Sequence, residues 1–157
     1  MKVSAIGRLY FLSCGVVVGC AETMNYPYLQ DLEEDVHDQV NEHRVEQGLE
    51  PLALMESFSE VARDHSEVMA EAGYLDHGDF EARALELSLT SPDLHRVGEN
   101  LGLADPDELA EAIVFDWVDS PEHAVNLVGD FEQTGVGAFE AEDGTVYITQ
   151  LYLGFGS

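Results

Sequence analysis

The chain has 157 residues, 45% of them hydrophobic, which suits one domain with an ordinary buried core, and its apolar positions are too periodic for disorder. Its formal charge is −26, from 32 acidic residues against six Lys and Arg. That balance disfavours nucleic acid as a partner, and it disfavours contact of the domain face with an anionic membrane.

Met1 to Arg8 carries both Lys2 and Arg8 and no acid, and Leu9 to Gly19 is apolar. The apolar run is too short for a membrane span and suits the core of a signal peptide. It ends Val17-Val18-Gly19-Cys20, and small residues before a Cys resemble the bacterial lipobox. Residues 1–20 therefore read as a lipoprotein signal peptide and Cys20 as the lipidated anchor, with ordinary cleavage near Gly19 and secretion as the alternative. Residues 21–28 read as a short tether. With Cys14 removed and Cys20 lipidated, no cysteine is left for a disulfide, so the core must hold without one.

Leu29, Leu32, Val36 and Val40 recur at helical spacing, and Gly48 marks the end of that helix. Ser57-Phe58-Ser59-Glu60 has the capping-box pattern and opens a second helix, with Phe58, Val61, Ala62 and Met69 on its apolar face and Gly73 as its stop. Residues 74–80 form a loop, a short helix follows around Glu81 to Leu87, and Thr90-Ser91-Pro92-Asp93 is a turn. Gly98 to Leu103 reads as a loop or short strand. Asp105-Pro106-Asp107-Glu108 is a helix start, with Ala110, Ile113, Val114 and Trp117 as the apolar face. Ser120-Pro121-Glu122-His123 starts a shorter helix. The period then changes to two, and Gly135 to Phe139 and Val146 to Leu153 read as strands joined by a turn at Glu142-Asp143-Gly144. Val146, Ile148 and Leu151 cannot share one face by alternation, which implies a bulge or burial on both sides. Gly154-Phe155-Gly156 is expected to fray.

Three pieces carry candidate chemistry: Leu75-Asp76-His77, Gly98-Glu99-Asn100-Leu101, and Ser120-Pro121-Glu122-His123 with Asn126. Two imidazoles and a carboxylate that meet in a fold make a transition-metal site or an acid/base site. Glu99 reads as an ion-pair partner, Arg96 being near in sequence, or as the carboxylate that fixes the tautomer of a cleft histidine. Asn100 and Asn126 are expected to pin loops through backbone hydrogen bonds. His65 reads as structural, and His43 and Arg44 as packing or pairing locally. Trp117 is expected in the core. Ser120 precedes Pro at a helix start, so it reads as an N-cap and not as a nucleophile.

In this order the pieces resemble a bacterial member of the CAP superfamily, which includes cysteine-rich secretory proteins, venom antigens and plant pathogenesis-related proteins (SCP-like domains). Val40-Asn41-Glu42-His43-Arg44 with Gly48-Leu49-Glu50-Pro51-Leu52 resembles the opening N-x-x-R and G-L-x-P-L pattern. Ala62, His65-Ser66 and Met69 resemble the second helix. Leu75-Asp76-His77 resembles the first site loop, and Gly98 to Leu101 the G-E-N-L signature. Trp117, Ser120 to His123 and Asn126 resemble the bacterial W-x-x-S-P-G-H-R-x-N segment, and Gly135-Val136-Gly137 and Tyr147 to Gln150 the closing strands. The matching residues span 36–152.

The resemblance implies an α+β fold, an α-β-α sandwich with a central, mostly antiparallel sheet, over residues 29–157. It implies a cleft lined by His77, Glu99 and His123, the catalytic candidates if the protein is an enzyme. His77 and His123 would hold a divalent metal such as zinc, with Glu99 as the orienting carboxylate or third ligand. Ser120 stands where eukaryotic members place a second site Glu, and Glu122 and Ala124 replace the usual Gly and Arg around the second His. The family's activities are diverse, so the fold does not fix a function. The first expectation is an exported CAP-domain protein on the cell surface or in the periplasm, touching membrane only through Cys20. It would bind a metal and an envelope ligand, lipid or protein partner. A metal- or Glu-assisted hydrolase of peptide, ester or cell-wall bonds is the second reading, and a lipid or sterol carrier the third.

After residue 20 only Arg44, Arg63, Arg83 and Arg96 stand against the 32 acids, a formal charge of −28. Such self-repulsion disfavours a compact state at low salt and is screened at molar salt, where the Debye length is about 3 Å. Acid excess without Lys reads as halophilic adaptation, against the simpler alternative of an acidic secreted protein.

Overall fold

A computed structural model of the protein describes residues 27–105 and 110–156. The signal peptide, Cys20 and most of the tether expected from the sequence, and the helix start at Pro106 to Glu108, lie outside the described residues. Among the described residues no helix is long and apolar enough to cross a membrane.

Among the described residues, five helices and four strands follow one another in the order α1 (Pro27–Glu46), β1 (Ala53–Leu54), α2 (Glu56–Ala72), α3 (Phe80–Thr90), β2 (Leu94–Ala104), α4 (Ala110–Asp119), α5 (Pro121–Leu127), β3 (Gln133–Glu140), β4 (Val146–Phe155). The sheet order is β1-β3-β4-β2. β1 runs parallel to β3, and the other pairs are antiparallel. Helices α1, α4 and α5 cover one face and α2 and α3 the other, so the mixed α-β-α sandwich expected from the sequence is the fold.

Strand β4 shows why its sequence defies simple alternation. Val146, Ile148 and Tyr152 pack with α1 and α4, while Tyr147, Leu151 and Leu153 pack toward α2 and α3. Both faces are buried, so apolar residues fall on both, interrupted only by the buried Thr149 and Gln150. No bulge interrupts its pairing with β3. The register shift lies in the β2–β4 pair, between Leu94 and Arg96. Gly154 and Phe155 do not fray: they continue β4, and the Phe155 amide donates to Glu132 Oε2 at 2.9 Å.

Two further expectations change. The second helix starts one residue before Ser57, with Met55 at the N-cap and no side-chain cap bond. Ser59 is turned inward instead, and its Oγ accepts from the Val136 amide at 3.1 Å. Gly98 to Leu103 is neither loop nor short strand but the middle of the 11-residue β2. Propensity obscures it, because Gly98, Asn100 and Gly102 are poor strand formers whose small or polar side chains serve the packing beneath them.

Strand β1 spans only two residues, which leaves β3 unpaired on one side past Thr134. Side chains close that edge. Ser59 takes the Val136 amide, and the buried Glu33 takes the Ala138 amide through Oε1 at 2.8 Å. Arg63 holds Glu33 from two nitrogens, Nε at 2.8 Å and Nη2 at 2.6 Å, and reaches Glu56 with Nη1 at 2.6 Å. An edge whose donors are taken in this way offers less for another chain to pair with.

Arg44 pairs locally with the Glu50 carbonyl but also reaches far along the chain. Its buried guanidinium donates to the carbonyls of Glu50, Leu127, Gly129 and Phe131 at 2.8 to 3.2 Å, tying the end of α1 to the loop between α5 and β3. Burial holds its pKa below the usual arginine value, but the group stays charged.

Candidate functional site

The loop after α2 is built by its own polar residues. Gly73, at φ +77°, ends the helix, and its amide donates to the Met69 carbonyl. Asp76 Oδ1 accepts from the Gly78 amide at 2.9 Å in a side-chain turn, and Gly78 adopts φ +50°. Asp79 caps α3 by accepting from the Ala82 amide at 3.3 Å. His77 is held between these two aspartates with its side chain half exposed.

Alternation along β2 sends Glu99 to the α2–α3 layer, with Val97 and Leu101, while Gly98, Asn100 and Gly102 face α4 and α5. The Glu99 side chain is 1% exposed. Its Oε1 accepts from His77 Nδ1 at 2.8 Å and from Arg83 Nη2 at 2.9 Å, and Oε2 accepts from Arg83 Nη2 at 2.8 Å. Arg83 also donates to the His77 carbonyl at 2.7 Å. The carboxylate is therefore neutralised by an α3 cation that also clamps the His77 loop.

The bond to Glu99 assigns the proton of neutral His77 to Nδ1 and leaves the Nε2 lone pair directed away from the carboxylate. An imidazole oriented in this way is prepared as a ligand, a hydrogen-bond acceptor or a base.

His65 lies under the same cluster. It is buried, and its Cε1 would stand 3.8 Å from a Cβ added to Gly78. Among the described residues, His65 Nε2 and Arg83 Nε are the buried side-chain polar atoms with no hydrogen-bond partner. Burial pushes the His65 pKa below its ordinary value, and the Arg83 cation adds to that shift. Acid must therefore charge His65 more easily in the unfolded chain. Its contribution to stability is present above the unfolded value of about 6.5 and is lost as the pH falls below it. The thermal midpoint of the protein should drop more steeply as the pH falls below about 6.5 than that of His65→Gln, and equal slopes would remove His65 from this role.

Of the three expected site residues, Glu99 and His77 are brought together. His123 sits in the first turn of α5, which packs against β2 from the opposite layer, and its carbonyl accepts from Asn100 Nδ2 at 3.3 Å. No hydrogen bond or ion pair among the described residues engages its imidazole with His77 or Glu99. Ser120 stands at the N-cap position of α5 but makes no side-chain cap bond there. The expected partner of Glu99 near in sequence was Arg96, but Arg96 stacks over the Phe131 ring at 5.9 Å and Arg83 takes its place. The signal for Arg83 was the scarcity of cations. With four arginines among 32 acids after residue 20, each is a candidate partner for a buried carboxylate.

For a metal, the donor set fits in part. Among the described residues no group of three or more His, Cys, Asp and Glu is placed to hold one. Both Glu99 oxygens are engaged, which suits an orienting carboxylate and not a third ligand. Within the cluster, the Nε2 of His77 is the donor atom that Glu99 and Arg83 leave available. A groove of about 580 Å³ lies elsewhere, between the start of α2, the end of α3 and Phe155, floored by Phe58, Val61 and Leu87. None of His77, Glu99 and His123 lines it.

Residues 37–152 match the cysteine-rich secretory protein (CAP) family, and the chain belongs to that family. It is similar to the uncharacterised protein YkwD of Bacillus subtilis strain 168, 30% identical over 127 residues, covering 78% of this chain and 47% of the relative. The chain thus spans about half the length of that curated relative. Among solved structures it resembles an outer surface protein of Borrelia burgdorferi, with a TM-score of 0.70, 16% identity, and coverage of 81% of this chain and 95% of that one. It also resembles an extracellular SCP-domain protein of Bacillus anthracis, with a TM-score of 0.64, 23% identity, and coverage of 80% and 41%. These two likenesses bear on the fold.

Proposed function

We propose that the chain is an exported CAP-domain binding protein, tethered at the cell envelope through Cys20, that takes an envelope ligand or partner at the His77–Glu99–Arg83 cluster. The observation that carries it is the 2.8 Å bond from His77 Nδ1 to a buried, arginine-neutralised Glu99, which presents His77 Nε2 outward. Export is supported by the charge and apolar pattern of residues 1–20, and by similarity to proteins described as outer-surface and extracellular. A divalent ion such as zinc would be held by the imidazoles of His77 and His123, with Glu99 orienting the first and supplying no ligand atom.

The hydrolase reading draws no support from Glu99. A carboxylate whose two oxygens already accept three hydrogen bonds, two of them from an arginine, is poorly placed to take a proton from water. The lipid-carrier reading would rest on the groove between α2 and α3, outside the histidine cluster.

Zinc titration by calorimetry in molar salt tests the metal part. The protein should take up about one equivalent, and His77→Ala/His123→Ala should lose that uptake. Equal uptake by both would assign the binding to the acidic surface.

A further inference from the structure

A chain of buried polar side chains crosses the α4–α5 face of the sheet. Thr134 Oγ1 donates to the Leu151 carbonyl at 2.6 Å and accepts from Gln150 Nε2 at 3.1 Å. Tyr152 Oη donates to Gln150 Oε1 at 2.8 Å and accepts from Asn100 Nδ2 at 3.2 Å. Asn100 Oδ1 accepts from Asn126 Nδ2 at 2.8 Å, and Asn126 Nδ2 also donates to the Glu99 carbonyl at 3.1 Å. Thr134, Gln150, Tyr152 and Asn100 show no exposed surface. A satisfied network of this kind stiffens its neighbourhood, whereas removing one member leaves its partners buried and unpaired.

Its last link is the informative one. Asn126 lies on α5, one turn after His123, and bonds to Asn100 and to the backbone of Glu99. Asn100 in turn bonds to the His123 carbonyl. Both ends of the candidate site thus share one joint. Gly98 makes room for it: a Cβ there would stand 2.7 Å from Asn126 Oδ1. The three residues of Gly98-Glu99-Asn100 therefore have separate tasks, the outer two receiving Asn126 and the middle one turning to His77 and Arg83.

We infer that Asn126 is a positioning residue, which sets the α5 turn bearing His123 against the strand bearing Glu99. The inference rests on His77 and His123 being the binding histidines only for its effect on zinc. The positioning itself is read without zinc. The His77–Glu99–Arg83 cluster is held from the opposite face by α3 and the 76–79 loop, so loss of Asn126 should disturb His123 and spare His77.

The experiment is a histidine-resolved NMR spectrum of the protein in molar salt, with the His77 and His123 ring signals assigned by their loss in His77→Ala and His123→Ala. Asn126→Ala should move the His123 ring signals and leave those of His77 in place. Zinc affinity should fall by about tenfold, the lower end of what loss of a supporting partner costs a metal ligand. Gly98→Ala keeps every hydrogen-bonding group but pushes on the Asn126 amide, so it should give the same His123-selective shift if Asn126→Ala fails to fold. Unmoved His123 signals in the folded variants, or equal movement of both histidines, would overturn the inference. Equal zinc affinity in the wild type and His123→Ala would defeat the metal reading alone, and a selective His123 shift would still uphold the positioning role.

Discussion

Glu99→Ala should destabilise the protein by about 3–5 kcal/mol, the range for removing one partner of a buried ion pair. The pair qualifies by geometry. Glu99 is 1% exposed and Arg83 16% exposed at the side chain, and one Arg83 nitrogen reaches both carboxylate oxygens within 2.9 Å. Without the carboxylate, Arg83 remains as a largely buried cation whose Nε already lacks a partner. His77 loses the acceptor that fixes its ring. Urea denaturation in molar salt measures the effect. Glu99→Gln should cost less, because its amide oxygen still accepts from Arg83, and Glu99→Gln/Arg83→Met should recover part of the Glu99→Ala loss because no charge is left unpaired. A loss below about 1 kcal/mol for Glu99→Ala would put the pair in the class of surface bridges and remove it as the clamp on the His77 loop.

The elements legible in the sequence are those whose burial follows one period. The α1 stripe of Leu29, Leu32, Val36 and Val40 and the α4 stripe of Ala110, Ile113, Val114 and Trp117 are the residues that meet the sheet. Asn100 and Asn126 bond to backbone as their residue type and turn context suggested. Strand β2 was hidden for the opposite reason. Its glycines and asparagine accommodate Ile113, Trp117 and Asn126 across the layer, and propensity cannot see a neighbour distant in sequence. The capping box at Ser57 failed because the helix begins one residue earlier, at Glu56 with Met55 as its N-cap, which puts Ser57 inside the first turn instead of at the cap.

The candidate site was half legible. His77 and Glu99 could be paired because an imidazole and a carboxylate in two turn-like motifs are natural partners, and they do meet. Arg83 was not identified, since nothing local distinguishes it on α3. Its meaning emerges only beside the other arginines. Arg44 gathers four carbonyls, Arg63 holds Glu33 and Glu56, Arg83 holds Glu99, and Arg96 covers Phe131. In a chain this acidic, the cations that remain after residue 20 are those the fold uses, and in such a composition a scarce residue type is worth reading first.

Gly137→Ala should cost about 3 kcal/mol or more, the upper end of what overpacking costs, because among the described glycines it has the shortest contact to an added Cβ. A Cβ at Gly137 would stand 2.1 Å from the Arg63 nitrogen and 2.3 Å from the Ala62 carbonyl carbon, both backbone atoms of α2. No rotamer change relieves a clash with a helix backbone, so α2 must lift from β3. Lifting it stretches the bond from Ser66 Oγ to the Gly137 carbonyl, now 2.9 Å, and draws Arg63 from Glu33, which closes the free edge of β3. It also carries His65 away from the floor of the His77 loop. Gly48→Ala is the control, because Gly48 has φ +76° but open space around its Cβ, so only the left-handed strain of about 1–2 kcal/mol applies. Denaturation of the two variants side by side in molar salt separates the causes. A Gly137 loss no larger than the Gly48 loss would mean that α2 can back away from the sheet at little cost, and the contact would then not be what fixes α2, and with it His65, beneath the site.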